Sequence, residues 1–322
     1  MNWKGEKVLV TGANGFVGSW VAKSLAEKGA ELIVPIKDIN EHGNLKILNI
    51  NSKVIECDLS EENCVNKMFE KNEVDAVFHL AAQAIVGIAN KEPVPTFKSN
   101  IQGTWNLMEV CRKKDIQRIV VASSDKAYGD HKELPYKETS ALLPRYPYDT
   151  SKACADLIAR SYFFTYDMPI AVTRCANIYG PADMNKSRIV PDIITSLLKG
   201  KTPIIRSDGT PERDYLYVQD AADAYLLIAE NLDRKEVKGE IFNIGNEKPI
   251  KVIDLYKEIA KACEKPEVKP KIMSKGKLKG EIDRQYLGTQ KIKGTLSWKA
   301  KVPLENGLKK SVEWYRKNLD LF

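Results

Sequence analysis

The strand, turn and helix signalled at the start of the chain limit the fold more than anything after them. Lys7–Thr11 (KVLVT) is a short apolar run and predicts a buried strand. It leads directly into Gly12-Ala13-Asn14-Gly15-Phe16-Val17-Gly18, after which Trp20, Val21 and Leu25 recur at helical spacing. Glycines at such a turn let the backbone approach a pyrophosphate, whose charge the helix N-terminus favours. The spacing is GxxGxxG rather than GxGxxG, so the turn also fits a simple helix start. A second strand, Glu31–Ile36, ends at Lys37-Asp38, with Asp38 20 residues beyond Gly18. An acid there suits the ribose hydroxyls of NAD. Lys37 beside it would suit a 2′-phosphate and keeps NADP open.

The alternation continues. Val54–Cys57 predicts a third strand, followed by Asp58-Leu59, placed to touch adenine. Asp58 is also a candidate N-cap for the helix through Val65–Phe69. Val74–Ala82 predicts a fourth strand, whose small residues Ala81 and Ala82, with Gln83, leave room for a cofactor against the backbone. His79 within it reads as a packed strand residue. Phe97–Arg112 predicts a helix with apolar Ile101, Trp105, Leu107, Met108, Val110 and Cys111, and Asn100 among them. Ile116–Ala122 is the fifth strand. Strand and helix in turn imply an α/β fold with a parallel, doubly wound sheet, whose ligand crevice lies beyond the strand C-termini.

Farther on, the helix after Lys152 (ACADLIARSYFFTY) is broadly apolar, and with Phe97–Arg112 offers a two-helix face for a twin subunit or for packing on the sheet. Pro169–Arg174 is a sixth strand. Alternation then stops, which places a domain change near Cys175–Pro181. Helices are expected at Arg188–Lys199, Ala221–Asn231 and Leu304–Lys317, with a lysine-rich loop at Ser274–Lys279. The reading gives a dinucleotide-binding domain over 1–175, completed by about 216–243. A smaller mixed α/β substrate domain takes 176–215 and 244–322.

Fifty Lys and Arg against 43 Asp and Glu give a net charge of +7, but no basic block, which argues against a nucleic-acid stripe. Six cysteines without a CxxC read as reduced residues of a cytoplasmic protein, and His42, His79 and His131 lack metal-ligand spacing, so no metal is expected. No apolar run reaches membrane-spanning length.

The chemistry is concentrated between Ala122 and Lys152. Ser123-Ser124-Asp125-Lys126 follows the fifth strand, and Tyr148 and Lys152 stand four residues apart, on one face of a helix. An ammonium beside a phenol favours the phenolate, so Lys152 is expected to lower the Tyr148 pKa. Such a phenol can take a proton from a hydroxyl while hydride leaves the same carbon.

GANGFVG, Asp58-Leu59, HLAA, NIQGTWNLME, SSDKAYG, YxxxK, NIYGP and RDYLYVQD occur in register along nearly the whole chain. Together they resemble the extended short-chain dehydrogenase/reductase family of sugar-nucleotide enzymes. The resemblance implies a Rossmann sheet, Ser124, Tyr148 and Lys152 as the catalytic hydroxyl, phenol and lysine, and a dinucleotide held by Gly12, Gly15, Phe16, Val17, Gly18, Asp38, Asp58, Leu59, Ala81, Ala82, Tyr148 and Lys152. It gives Gln83, Asn177, Arg188, Arg213 and Arg284 to the sugar nucleotide, although the surroundings of Arg284 also suit a surface ion pair. A homodimer, or a dimer of dimers, is implied as well. Epimerases of the family usually carry uncharged residues after the catalytic Ser or Thr. Asp125-Lys126 instead looks like the 4,6-dehydratases, and is most similar to CDP-glucose 4,6-dehydratases, with retaining UDP-N-acetylglucosamine 4,6-dehydratases close behind; those for dTDP-glucose and GDP-mannose carry glutamate where Lys126 stands. On this reading Asp125 is the acid toward the C6 hydroxyl and Lys126 the base at C5. A 4-epimerase and a silent dinucleotide sensor are the alternatives.

Overall fold

Parallel strands cannot be joined by tight turns, so every strand of the main sheet must be separated from the next by a crossover. The computed structural model describes residues 2–39, 43–274, 276 and 282–322. His42 and residues 275 and 277–279 of the lysine-rich loop lie outside them. Strands β1 (Lys7–Thr11), β2 (Glu31–Ile36), β3 (Lys53–Glu56), β4 (Ala76–His79), β5 (Ile119–Ala122) and β6 (Ile170–Cys175) are joined by a seventh, Ile241–Ile244. The order across the sheet is Ile241–Ile244, β6, β5, β4, β1, β2, β3, all parallel. The order reverses beside β1, the position of a ligand crevice in doubly wound sheets.

Side chains alternate across this sheet, as the two-residue period requires. Val8, Val10, Phe78 and Val120 join one core, with Trp20, Val21 and Leu25 of helix Phe16–Glu27 and with helix Val218–Glu230. Leu9, Val77, Ile119 and Val121 join the other, with Leu107, Met108 and Cys111. A third core, around Ile193, Leu197, Tyr215, Leu255, Leu308 and Tyr315, lies among helices Ile189–Leu198, Val252–Ala262 and Leu304–Lys317. It is accompanied by short ladders: Asn177–Tyr179 with Tyr215–Tyr217, Ile204–Ile205 with Lys271–Ile272, and Glu212–Arg213 between Ile250–Lys251 and Arg284–Gln285.

Several expectations need correction. β4 stops at His79 because the N–H groups of Leu80 and Ala81 turn to the Thr11 hydroxyl, each at 3.1 Å. β5 begins only at Ile119, because Ile116 closes the preceding helix through its N–H to the Cys111 carbonyl at 3.1 Å. The helix expected over Phe97–Arg112 is α-helical at Pro93–Phe97, π-helical at Lys98–Gln102 and α-helical again at Gly103–Lys113. Trp105 within it is exposed rather than packed. Asp58 is not the N-cap of the next helix: Glu61 is, while Asp58 caps Ser60. The cysteines are not all unpaired: the turn from β3 into helix Glu62–Glu70 brings Cys57 and Cys64 to a Cα separation of 5.6 Å, and they form a disulfide. Cys111, Cys154, Cys175 and Cys263 are free, Cys154 only half-buried.

One buried ion pair joins the sheet to helix Pro147–Tyr166. Arg174 on β6 meets Asp156 through Nε at 2.8 Å and Nη2 at 3.0 Å, both residues at most 1% exposed. Removing one partner leaves an unpaired buried charge. Asp156→Ala should therefore lower unfolding stability by about 3–5 kcal/mol, read from denaturant melts of the purified protein. A loss below about 1 kcal/mol, the range of surface pairs, would contradict this account.

Candidate active site

The glycine loop is a floor of bare backbone. Gly12 sits at φ +73, and a Cβ there would lie 2.7 Å from the Ala81 nitrogen. A Cβ on Gly18 would lie 2.2 Å from the Gly12 carbonyl oxygen. The helix that follows has no acid in its first turn to compete with a phosphate. Asn44, which the sequence did not single out, is 3% exposed and pins this loop. Its amide donates to the Gly15 carbonyl at 3.3 Å and the Ala182 carbonyl at 2.7 Å. These features fit a dinucleotide pyrophosphate.

Past β2 and β3, Asp38 is exposed, while Asp58 accepts from Ser60 and pairs with Lys37 at 2.7 Å. Burial pushes the Asp58 carboxyl up, but the bonds from Lys37 and Ser60 outweigh it and hold it below the ordinary value. Leu59 is buried, its carbonyl accepting from Asn106 at 3.0 Å. Ala81 and Ala82 are half-buried at the end of β4. Asn100, on the π-helical turn, accepts from the Gln83 N–H at 2.7 Å and donates to the Gln83 carbonyl at 3.0 Å and to Ser151 at 2.9 Å. A π turn inserts a residue and so re-aims a side chain. The Gln83 amide itself bonds to Ile85 and Thr96. His79 is buried between Thr11 and Thr104, and burial, then Lys152, pushes its pKa down to about 3; it is a neutral packed residue.

The residues of the 122–152 stretch come together. Ser124 caps a 3-10 turn, Asp125–Tyr128, accepting from the Lys126 N–H at 3.2 Å. Tyr148 and Lys152 stand on the first turns of helix Pro147–Tyr166, whose start is set by Pro147 at its first position. The expected depression of the Tyr148 pKa is absent. Burial pushes the phenol up to about 12, against a Ser124 hydrogen bond and the field of Arg188. Lys152 gives its ammonium to the Ala122 carbonyl at 2.5 Å, and burial lowers it to about 8.

Asp125 is 3% exposed; Lys126 is half-buried and donates to the Gln285 side-chain oxygen. A third charged residue was missed: Asp149, 7% exposed and within the field of both. Its position directly after Tyr148 was the only signal. Arg188 meets Asp183 at 2.9 Å and lies 5.6 Å from the Phe16 ring; Val17 packs on the adjoining core. Asn177 donates to the Asp214 carbonyl. Arg213 donates to the Glu212 carbonyl at 2.8 Å, and the exposed Arg284 pairs with Glu212 at 2.8 Å and covers Tyr286, the ion pair its surroundings suggested.

Burial pushes Asp149 up to about 6; Lys126 opposes this and Asp125 adds to it. A carboxyl raised above its unfolded value favours the fold below the unfolded pKa, and that contribution is lost as pH rises through about 6. Asp149→Asn should therefore stabilise the protein above pH 7 by up to about 3 kcal/mol and leave it nearly unchanged near pH 4. Denaturant melts at the two pH values decide this; an equal effect at both would refute it.

The sequence model of the NAD dependent epimerase/dehydratase family matches residues 8–245. The chain is 32% identical to the dTDP-D-glucose 4,6-dehydratase of Mus musculus, over 97% of this chain and 89% of that one. It is 33% identical to dTDP-glucose 4,6-dehydratase 1 of Escherichia coli K12, over 97% and 93%. Among solved structures, Thermotoga maritima UDP-glucose 4-epimerase with UDP-glucose superposes at a TM-score of 0.89 with 32% identity, covering 97% of this chain and 99% of that one. Streptomyces venezuelae DesIV, a dTDP-glucose 4,6-dehydratase with NAD bound, gives 0.88 and 28%, covering 98% of each. The chain belongs to the NAD dependent epimerase/dehydratase family, an extended short-chain dehydrogenase/reductase that takes NAD as its cofactor.

Proposed function

We propose that this protein is an NAD-dependent sugar-nucleotide 4,6-dehydratase, a lyase that turns a nucleotide-diphosphate hexose into its 4-keto-6-deoxy form. The observation that carries it is the buried Asp125 and half-buried Lys126 directly beside Ser124, Tyr148 and Lys152. An epimerase needs only the last three; loss of water needs a further acid and base. Residues 1–175, completed by about 216–243, would form the dinucleotide half. Residues 176–215 and 244–322 would hold the sugar nucleotide, with Asn177, Arg188, Arg213 and Arg284 toward it, and Gln83 toward it from the end of β4. Asp125-Lys126 favours a CDP-glucose or UDP-N-acetylglucosamine type of substrate.

Bound NAD would supply the acceptor for hydride from C4 and its return to C6. Gly12, Gly15, Phe16, Val17, Gly18, Asp38, Asp58, Leu59, Ala81, Ala82, Tyr148 and Lys152 would hold it. Tyr148, bonded to Ser124, takes the proton of the C4 hydroxyl. Its high pKa in the free protein means that the phenolate must be stabilised when ligand fills the cleft. The resulting ketone acidifies C5. Lys126, a base only as the neutral amine, removes the C5 proton in that form, protonated Asp125 gives its proton to the departing C6 hydroxyl, and C5 is reprotonated from solvent. Exposed Trp105, Leu157, Phe164 and Tyr166 on helices Gly103–Lys113 and Pro147–Tyr166 support a homodimer, and nucleotide substrate and cofactor suit the cytoplasm.

A second reading, a 4-epimerase, draws on the likeness to the Thermotoga maritima enzyme. Incubation with UDP-, CDP-, GDP- and dTDP-hexoses decides by mass. A product lighter by one water, carrying solvent deuterium at C5, supports dehydration; an isomer of unchanged mass overturns it. Tyr148→Phe should lower turnover by roughly 10²–10⁴-fold. Lys126→Ala should spare NAD reduction but slow loss of water by about the same factor; unaltered dehydration would remove Lys126 from its role.

A further inference from the structure

Gln285 lies in a two-residue strand, far along the chain from the turn it touches. Its side chain is 0% exposed. Its oxygen accepts from the Lys126 ammonium, and its nitrogen donates to the Asp125 carbonyl at 3.2 Å. Both ends of one amide are thus spent on the turn that carries the charged pair. The strand is held by a ladder and by bonds just past its end. Gln285 stands opposite Arg213, and Arg284 opposite Glu212. Just past the strand, Tyr136 donates its N–H to the Tyr286 carbonyl at 3.0 Å and accepts from the Gly288 N–H at 2.8 Å.

A buried amide is a costly choice where packing alone is needed, since leucine or methionine fills similar space with no polar atoms to satisfy. Here the amide meets an ammonium with two acids in its neighbourhood. Asp125 lies on its own turn, and Asp149, on helix Pro147–Tyr166, feels the field of Lys126. Without a neutral acceptor, Lys126 would close onto a carboxylate.

We propose that Gln285 is a positioning residue: its amide holds the Lys126 ammonium apart from Asp149 and in register with Arg213. One strand pair then sets both the acid–base lysine and an arginine for the nucleotide diphosphate. The role of Lys126 in water loss rests on the dehydratase reading; its placement by Gln285 does not.

Two readouts test this on the NAD-loaded protein. The first needs no turnover: acetic anhydride labelling of Lys126, quantified by peptide mass spectrometry. Gln285→Met, close in volume, and Gln285→Leu let Lys126 pair with Asp149, so labelling should slow about tenfold, the scale of a hydrogen bond to a charged group. Adding Asp149→Asn to Gln285→Met should restore the rate. Labelling that is unchanged or faster in both single variants overturns the proposal. The second readout is kinetic: Gln285→Met should lower kcat for water loss by roughly 10²-fold, with KM little changed and NAD reduction kept. Loss of NAD reduction as well would assign Gln285 to general integrity and overturn it. A wild-type protein that reduces NAD yet never releases water sinks the dehydratase reading, while the labelling result still decides the placement.

Discussion

The Arg174–Asp156 pair is the contact on which the geometry of this site rests. It is a two-pronged bond between the sixth sheet strand and the helix that begins with Tyr148 and Lys152. The same guanidinium lies 4.7 Å from the Tyr128 ring, at the end of the turn that holds Asp125 and Lys126. Tyr128 in turn donates to Asn243, on the outer strand of the sheet, at 2.7 Å. A planar guanidinium can satisfy a carboxylate edge-on and an aromatic ring with its face at once, which lysine cannot. Helix, turn and sheet are therefore fixed to one another by one cation. Buried pairs of this kind contribute little net stability against an apolar alternative, and their use is to specify an arrangement.

The dinucleotide side is built differently, from the absence of side chains. Gly12 and Gly18 touch backbone where any Cβ would collide. What fixes the loop comes from outside it, through Asn44 to the Gly15 and Ala182 carbonyls. Asn100 does the same for the end of β4, from a helix that widens by one residue to aim it. Buried asparagines suit this work because one amide offers donors and acceptor together and can be satisfied by two strands of backbone.

How much of this was legible depends on how far apart the cooperating residues stand. The sheet strands and the glycine loop were readable because period and turn chemistry are local. β1, β2 and the final helix fall where the pattern puts them. Tyr148, Lys152, Ser124 and the Asp125-Lys126 pair were readable because they share one stretch. The ladders of two or three residues beyond residue 176 were not, since such short strands carry no period. Nor was the disulfide, because Cys57 and Cys64 meet only once β3 has turned into its helix. Asn44 and Gln285 act across more than a hundred residues, on Ala182 and on Lys126. Nothing in their neighbours announces that.

The expectation about Tyr148 concerned one neighbour, and the structure adds a second influence. It weighed one neighbour and left out burial. In the structure burial outweighs every charge near the phenol, and Lys152 is turned to a carbonyl rather than to it. The carboxyls show the same rule. Burial lifts Asp149 and Asp214 to about 6, and the field of Asp125 adds to both. Asp149 and Asp214, each raised to about 6, can therefore hold or release a proton near neutrality at small cost in free energy. A site that must remove one proton and deliver another in the same turnover gains from such a cluster, because giver and receiver need pKa values close to each other. The burial that costs stability at Asp149 is thus the property that brings a carboxyl of this cleft toward neutral pH.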